Sequence, residues 1–147
     1  MSQLNTDAIL RRLAELTQAA WPDVAGRIAI GRPLVGMALP CAAVVCDRVA
    51  REGPGFVRKN SWSFSITVFG RFAYPESGSI QAAKDLRLND LYGEIQPQDG
   101  KLRSGGGDVL LEMVRVSQFD LTDYTEEDGV KGFDVAMTVV GTTFPDV

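Results

Sequence analysis

The stretch SWSFSITVFGRF, residues 61 to 72, alternates between apolar and small polar side chains. Successive side chains of a β-strand point to opposite faces of its sheet, so this pattern predicts a strand with one buried face. The alternation gives an apolar row and a hydroxyl row, which are Trp62, Phe64, Ile66 and Val68, and Ser61, Ser63, Ser65 and Thr67. An exposed face more often carries long charged side chains as well, so the hydroxyl row calls for an explanation.

Four further segments are predicted to be strands. They lie at 26–31, 41–50, 109–124 and 130–144. The segment 32–40 contains two prolines and a glycine, and the segment 96–108 is polar and glycine-rich, so both are predicted to be loops. A change in the phase of the alternation near Met113 and Val114 indicates a β-bulge.

Two segments have the periodicity of amphipathic helices. In residues 6–21 apolar side chains recur every three or four positions, and Asn5 or Thr6 is a suitable N-cap. A second helix begins after Ser77 or Ser79 and ends before Pro97. The apolar stripes of the two helices are Ile9, Leu10, Leu13, Leu16, Ala20 and Trp21, and Ile80, Ala83, Leu88, Leu91, Tyr92 and Ile95.

Together these elements predict a single α+β domain spanning residues 1–147. Adjacent strands with short connections favour antiparallel pairing, and two apolar helical stripes must cover one face of the sheet. The expected architecture is a two-layer sandwich, with a mainly antiparallel sheet of about four to five strands and two helices packed on one face.

The overall charge limits the classes of partner. The net charge is -4 and the pI about 4.8, whereas nucleic-acid binders usually carry a basic patch. Basic residues look scattered, so we expect no specific nucleic-acid binding. No apolar run approaches the roughly 18 residues of a membrane span, and the start lacks the features of a signal peptide. We therefore expect no membrane partner and an unprocessed cytoplasmic chain.

The residue types that most catalytic sites need are missing. There is no histidine, which excludes Ser-His-Asp and Cys-His arrangements. Cys41 and Cys46 are five positions apart and should point to opposite faces of a strand, so neither a disulfide nor a zinc site is expected. The glycine-rich loop 104–108 precedes a strand and lacks the phosphate-loop pattern. We predict that the protein is not an enzyme and binds no cofactor or metal.

Several residues are candidates for contacts with other subunits or partners. The loop 32–40 is unusually apolar, which fits burial against a partner or folding back onto its own core. Arg32 and Arg71 lie beside glycines at strand ends, where they either pair between chains or stay solvated. Phe69, Phe72 and Tyr74 are expected to pack against the second helix or a neighbour. The interface candidates are Arg32, Leu34, Val35, Met37, Leu39, Phe69, Arg71, Phe72, Asp123, Glu126, Glu127 and Asp128.

The acidic residues among these candidates are concentrated near one predicted hairpin turn, within DYTEEDG. Four carboxylates so close together are usually a solvated turn, and their spacing is not that of an EF-hand. We therefore interpret them as a surface for docking, in preference to a catalytic or cation site.

The hydroxyl row belongs to a wider candidate surface. Helices can cover one side of the sheet, and the other side should carry small, mostly uncharged side chains, which are Ser61, Ser63, Ser65, Thr67, Asp134, Ala136 and Thr138. Such a face suits close approach by another subunit or the wall of a water-filled channel. Plain exposure to solvent is the alternative.

The order of elements also resembles a known family. An N-terminal helix with ILRRLAEL is followed by the strands LPCAAVVCDRV and WSFSITVFGR and the helix IQAAKDLRLNDLYGEI, and two long strands, LLEMVRVSQFDLTDY and GFDVAMTVVGTTF, close the chain. This order resembles the tail-terminator, or tail-completion, proteins of long-tailed bacteriophages. The resemblance covers nearly the whole chain through order and length, without a short diagnostic motif.

The resemblance implies a structural virion protein. It implies a homohexameric ring that caps the tail tube, ends tube polymerisation and offers a docking surface to the head connector. The implied partners are the tail tube protein and the head connector or neck protein, and the implied location is the head-proximal end of the tail, after assembly in the host cytoplasm. DNA would pass through the lumen, where an acidic protein discourages sticking.

Other functions fit the same elements. A head-completion or connector protein, or a tail-tube subunit, has a comparable small α+β build. A stand-alone binding module would be favoured by a deep apolar pocket between the sheet and the helices. An enzyme that uses Asp and Glu alone is a third alternative.

Overall fold

The computed structural model describes residues 5–34, 36–51, 61–96 and 99–143. The two helices are α1 (Thr6–Ala20) and α2 (Ile80–Ile95), and a single 3-10 turn follows α1 at Pro22–Val24. The strands are β1 (Ile28–Ile30), β2 (Cys41–Arg51), β3 (Trp62–Ala73), β4 (Leu102–Arg103), β5 (Val109–Thr125) and β6 (Lys131–Thr143). The predicted α+β class with two helices is confirmed.

The sheet is mainly antiparallel, as predicted, but it differs from the prediction in strand number and shape. Its six strands have the order β1-β2-β3-β6-β5-β4, and β1 runs parallel to β2 while the other pairs are antiparallel. The strand that was not predicted is β4. It has two residues within the predicted loop 96–108, which are too few to produce a periodic pattern. The sheet curls into a half-barrel, so the expected sandwich with four to five strands was wrong.

Irregular positions in two strands help to explain the curl. The register of β5 against β6 shifts between Glu112 and Arg115, where Met113 has a φ of 54°, and again between Val116 and Gln118. The register of β2 against β3 shifts between Cys46 and Arg48. A bulge bends its strand and increases the local twist. The bulge predicted near Met113 is therefore confirmed, and the one in β2 was not foreseen.

The core lies between the helices and one face of the sheet. Leu13 and Trp21 are fully buried, as are Ile66 and Val68 from the apolar row of β3. Each such side chain contributes about 1.5–3 kcal/mol through burial. Gly70 continues the apolar row, and it leaves the space that the Trp21 ring occupies, because an added Cβ would overlap that ring.

The helix α1 is held mainly by its apolar face. Its buried residues are Ile9, Leu10, Leu13, Ala14, Thr17 and Ala20. Asn5 is the N-cap, since its side chain accepts a hydrogen bond of 3.2 Å from the backbone N–H of Ala8. This decides between the two predicted caps.

The helix α2 is attached differently. Only Leu91 and Ile95 are fully buried, whereas Ile80 and Tyr92 from its predicted apolar stripe are exposed. Ser79 caps the helix by accepting a 3.1 Å hydrogen bond from the backbone N–H of Ala82. Neither helix, within the residues described, is long and apolar enough to cross a membrane.

Polar contacts tie α2 to the rest of the fold. The Arg87 guanidinium donates two hydrogen bonds of 2.7 and 2.6 Å to the carboxylate of Asp23, and it lies 4.2 Å from the centre of the Phe72 ring. The indole N–H of Trp21 donates to the carbonyl oxygen of Arg87 at 2.9 Å. The backbone of α2 is therefore joined directly to the central aromatic side chain of the core.

Candidate interaction face

The surface of the sheet opposite the helices is the candidate interaction face, called the open face below. The pairing registers place on it alternate residues of four strands. These include Ala43, Val45, Arg48 and Ala50 of β2, Ser63, Ser65, Thr67, Phe69 and Arg71 of β3, Arg115, Gln118, Asp120 and Thr122 of β5, and Asp134, Ala136, Thr138, Val140 and Thr142 of β6.

Small side chains occupy the middle of the open face, where β3 and β6 pair. Thr67 lies opposite Thr138, and Ser65 lies opposite Val140. All four residues are half-buried. The Thr67 hydroxyl donates a hydrogen bond to the carboxylate of Asp47, and the Ser63 hydroxyl donates to the Ala50 carbonyl oxygen at 3.3 Å. We call Ser65, Thr67, Thr138 and Val140 the central strip. Its side chains are small, and hydroxyl groups in and beside it form hydrogen bonds within the chain.

Two of the predicted surface residues lie elsewhere. Ser61 precedes β3 and is 3% exposed, so its side chain is buried and offers no accessible surface. Phe72 is 2% exposed and lies in the core, with its ring centre 4.9 Å from that of Trp21 and 5.6 Å from that of Phe133. Its prediction as an interface residue was wrong, because position 72 continues the apolar row of β3. Phe69, by contrast, is half-buried on the open face.

Arg71 is fixed within its own chain. Its guanidinium donates to both carboxylate oxygens of Asp134, at 2.8 and 3.0 Å, directly across the β3–β6 pair. The guanidinium carbon also lies 4.6 Å from the centre of the Tyr124 ring. The hydrogen bonds with Asp134 raise the pKa of Arg71. Arg71 is therefore paired within its own chain and is not a fully solvated arginine, while its contact with another chain stays a prediction.

The four predicted acidic residues lie in three different environments. Asp123 accepts hydrogen bonds from the Tyr74 hydroxyl at 2.7 Å and forms an ion pair with Lys84 of α2 at 2.8 Å. The ammonium group of Lys84, followed by the Tyr74 hydroxyl, holds the pKa of Asp123 below its usual value. Asp123 thus anchors α2 to the long hairpin and is not part of one common acidic surface.

The other three acidic residues lie around the turn between β5 and β6. The carboxylate of Glu126 is 3.9 Å from the Arg71 guanidinium. Glu127 and Asp128 are exposed, and an oxygen of Asp128 accepts a 3.1 Å hydrogen bond from the backbone N–H of Val130. We call Glu127 and Asp128 the acidic tip.

The apolar loop 32–40 lies partly against its own sheet. Pro33 and Leu34 border a groove of about 340 Å³ whose other wall includes Val45 and Phe69 of the open face. Leu34 is half-buried, and so are Met37 and Leu39, while Arg32 is exposed. Val35 lies outside the described residues. Leu34 therefore lies beside the open face and does not fold back onto the core, while burial of this loop against a partner stays a prediction.

The two cysteines point to opposite faces, as predicted. Cys41 pairs with Arg71 on the open face, and Cys46 pairs with Ile66 on the core side. Both thiols are free. Burial raises the pKa of each above its usual value. Within the described ranges, no group of three or more His, Cys, Asp or Glu side chains is arranged to hold a metal ion.

A basic cluster at the far end of the open face was missed from the sequence. A groove of about 620 Å³ there is lined by Arg48, Arg51 and Arg115, with Ser63, Ser65, Met113 and Thr142 among its other residues. We call it the arginine groove. Strict alternation from Val44 would have placed Arg48 on the core side, and the bulge after Cys46 moves it to the open face. The sequence did contain a signal for this bulge, because strict alternation assigns the charged residue Arg48 to the core side of the strand.

Comparisons with known proteins leave the family open. No family model matches the chain, and a search of curated proteins finds no match. Among solved structures 28 chains match. One of them, whose name states no function, is 18% identical, and the match covers 98% of this chain and 100% of the other, with a TM-score of 0.49.

Proposed function

We propose that the protein is a structural subunit of a phage tail, which forms a ring on the tail tube, ends tube polymerisation and provides the docking surface for the head connector. A homohexamer is the assembly that the family resemblance implies. The location that follows is the head-proximal end of the tail.

The observation that carries the proposal is the central strip of the open face. Ser65, Thr67 and Thr138 are small and uncharged, and they lie on the side of the sheet that faces away from both helices. Small side chains allow a second protein surface to approach closely, and they also make a smooth wall for a bore. The order of the elements along the chain supports the same function, since it is the order that carries the family resemblance.

The mechanism of such a subunit is steric. A ring that occupies the end of the tube blocks the surface onto which the next tube subunit would add, so the chemistry of a catalytic site is not required. Because a closed ring uses a heterologous interface, each subunit must present two different surfaces to its neighbours. The open face has the arginine groove near one end and the acidic tip near the other, and these are two different surfaces.

The binding-module alternative has less support. The pocket that would favour it belongs between the sheet and the helices, and the described residues of that layer form a packed core in which Leu13, Ile66 and Met137 are fully buried. The tube-subunit alternative shares the small-residue face, and only assembly behaviour separates it from the terminator.

The decisive experiment deletes this chain from the phage or prophage genome that encodes it. We expect tails that are longer than wild type and not joined to heads, as measured by electron microscopy, and restoration of normal particles when the chain is supplied in trans. Particles with normal tails joined to heads would overturn the proposal. Complete absence of tubes, together with filament formation by the purified chain, would identify a tube subunit instead.

A matched pair of variants connects the phenotype to the open face. Ser65→Arg places a long side chain on the central strip, whereas Ser77→Arg places the same side chain at an exposed position before α2. We expect Ser65→Arg to lose complementation and Ser77→Arg to keep it, with thermal unfolding used to verify that both variants fold. Equal complementation by the two variants would remove the open face from the proposal.

A further inference from the structure

The arginine groove concentrates positive charge in an otherwise acidic chain. Arg48 and Arg115 come from different strands, β2 and β5, and converge on one groove across the β3–β6 pair. Arg51 adds a third guanidinium, which lies 5.8 Å from the centre of the Trp62 ring. With a net charge of -4 for the whole chain, this local excess of positive charge is an exception and indicates an acidic partner.

Two of the guanidinium groups are available to such a partner. Arg48 and Arg115 are exposed, and neither forms an ion pair with a residue of the described ranges. Arg71 and Arg87 are used differently, because each is held by a carboxylate of its own chain. The arginine groove also has an apolar side chain to offer, since Met113 is 69% exposed at its edge.

The acidic tip has the complementary composition. Glu127 and Asp128 are exposed carboxylates without an ion pair in the part of the chain that the structure describes. Beside them Val130 is 40% exposed, so the tip combines negative charge with an apolar side chain, as the arginine groove combines positive charge with Met113.

One molecule cannot bring these two surfaces together. Arg115 and the acidic tip are separated by more than ten residues along β5, which corresponds to roughly 30 Å or more of strand. Two molecules can do so if the acidic tip of one enters the arginine groove of the next. The groove volume of about 620 Å³ is within the roughly 300–1,000 Å³ typical of sites that bind a ligand of drug size, which is enough for the side chains of a turn.

We propose that the arginine groove binds the acidic tip of a second copy of this chain. Such a contact is heterologous, so each subunit uses its arginine groove on one side and its acidic tip on the other, and repetition of the contact gives a closed ring or an open filament. The inference deepens the proposed function, because it names the contact by which the subunits of the ring would associate. A second copy is favoured over DNA as the occupant, because the acidic tip offers the exposed apolar side chain of Val130 to Met113 as well as carboxylates to the arginines.

The test uses two full-length charge-reversal variants, Arg48→Glu with Arg115→Glu, and Glu127→Arg with Asp128→Arg. Sedimentation at low salt should show self-association of the wild-type chain that weakens as salt is added. Each variant alone should associate at least about tenfold more weakly than wild type, since like charges then face each other across the contact. Circular dichroism and thermal unfolding verify that both variants fold.

Mixing the variants gives a sharper result. The groove variant keeps a normal acidic tip and the tip variant keeps a normal arginine groove, and the reversed tip is complementary to the reversed groove. An equimolar mixture should therefore recover assembly in which the two variants alternate, although neither variant assembles alone. A chain that carries all four reversals should recover the wild-type assembly, because the complementary charges are restored. Asp90→Arg with Glu94→Arg, on the exposed side of α2, changes the net charge as much as the tip variant does and should leave assembly unchanged.

Three outcomes would overturn the inference. The first is that the groove variant or the tip variant assembles as tightly as wild type. The second is that the wild-type chain does not self-associate at low salt. The third is that the wild-type chain binds a DNA oligonucleotide tightly and only the groove variant loses this binding. Rings that persist in both variants, with the tail-length phenotype intact, would remove this contact and leave the proposed function standing. Normal tail length after deletion would remove the proposed function, whatever the sedimentation result.

Discussion

Two phenylalanines of β3, three positions apart, lie in opposite environments. Phe72 is 2% exposed and packs between Trp21 and Phe133, whereas Phe69 is half-buried on the open face near the guanidinium of Arg71. The core side of the sheet is therefore stabilised by apolar packing within the chain. The open side is stabilised by local polar contacts, so its side chains can change with less loss of stability and remain available for contacts between molecules.

The largest expected effect tests this comparison directly. Phe72→Ala should lower the free energy of unfolding by about 3–5 kcal/mol, because it leaves a cavity in the core. Phe69→Ala removes the same atoms from the open face and should cost about 1 kcal/mol or less. Urea unfolding of both variants measures the difference, and equal losses would contradict the separation of the two faces.

The next effect concerns close packing at the end of the β3–β6 pair. A Cβ at Gly132 would overlap the backbone carbonyl oxygen of Phe72 and the ring of Tyr124. We expect Gly132→Ala to cost about 1–3 kcal/mol, since the clash is with backbone that cannot move away easily. Gly93→Ala in α2 is the control, because nothing lies within 4 Å of its added Cβ, and it should stabilise the protein by about 0.5–1 kcal/mol. If Gly132→Ala has the same free energy of unfolding as wild type in thermal or urea unfolding, the strands can move apart at this position without loss of stability.

A smaller effect is expected for the ion pair on the open face. Asp134→Asn should lower the free energy of unfolding by about 1–2 kcal/mol, because Arg71 then loses a charged acceptor of two hydrogen bonds. A double-mutant cycle with Arg71→Met isolates the coupling between the two side chains. Arg32→Met, at an exposed arginine, should change stability by less than about 0.5 kcal/mol. A coupling energy near zero would mean that the pair does not stabilise the fold.

The smallest effect depends on pH and concerns the polar attachment of α2. Hydrogen bonds from Arg87 lower the pKa of Asp23 from its usual value of 3.8. A carboxyl with a depressed folded-state pKa stabilises the fold above the unfolded pKa, and this contribution disappears as the pH falls from about 3.8 through the lower folded value. Asp23→Asn should therefore cost up to about 1 kcal/mol at neutral pH, since the pair is partly exposed.

The measurement for this last prediction is the stability of wild type and Asp23→Asn between neutral pH and pH 3. The difference between the two proteins should shrink as the pH falls below about 4. A difference that stays constant with pH would mean that the charge of Asp23 has no part in holding α2.

The local patterns predicted most of the elements. The core side of β3, the helix α1 and the bulge at Met113 follow from side-chain periodicity, which reports how each residue meets its own neighbours. The same method failed for β4, because two residues make no pattern. It also overstated the apolar stripe of α2, since Tyr92 is exposed while Arg87 and Lys84 form the polar attachments.

The candidate site was predicted less completely than the fold. The central strip around Thr67 and Thr138 could be recognised from alternation on β3 and β6, whereas the arginine groove could not. Its arginines are distant in sequence, and Arg48 reaches the open face only because a bulge in β2 reverses the alternation.

The sequence by itself determined the α+β class, the two helices and the strand residues that face the core, because burial of apolar surface imposes a period on neighbouring residues. The tertiary structure alone decided the curl of the sheet, the pairing of Arg71 with Asp134 and the positions of the arginine groove and the acidic tip. These depend on strand order and on register, and both are set by contacts between segments that are far apart along the chain.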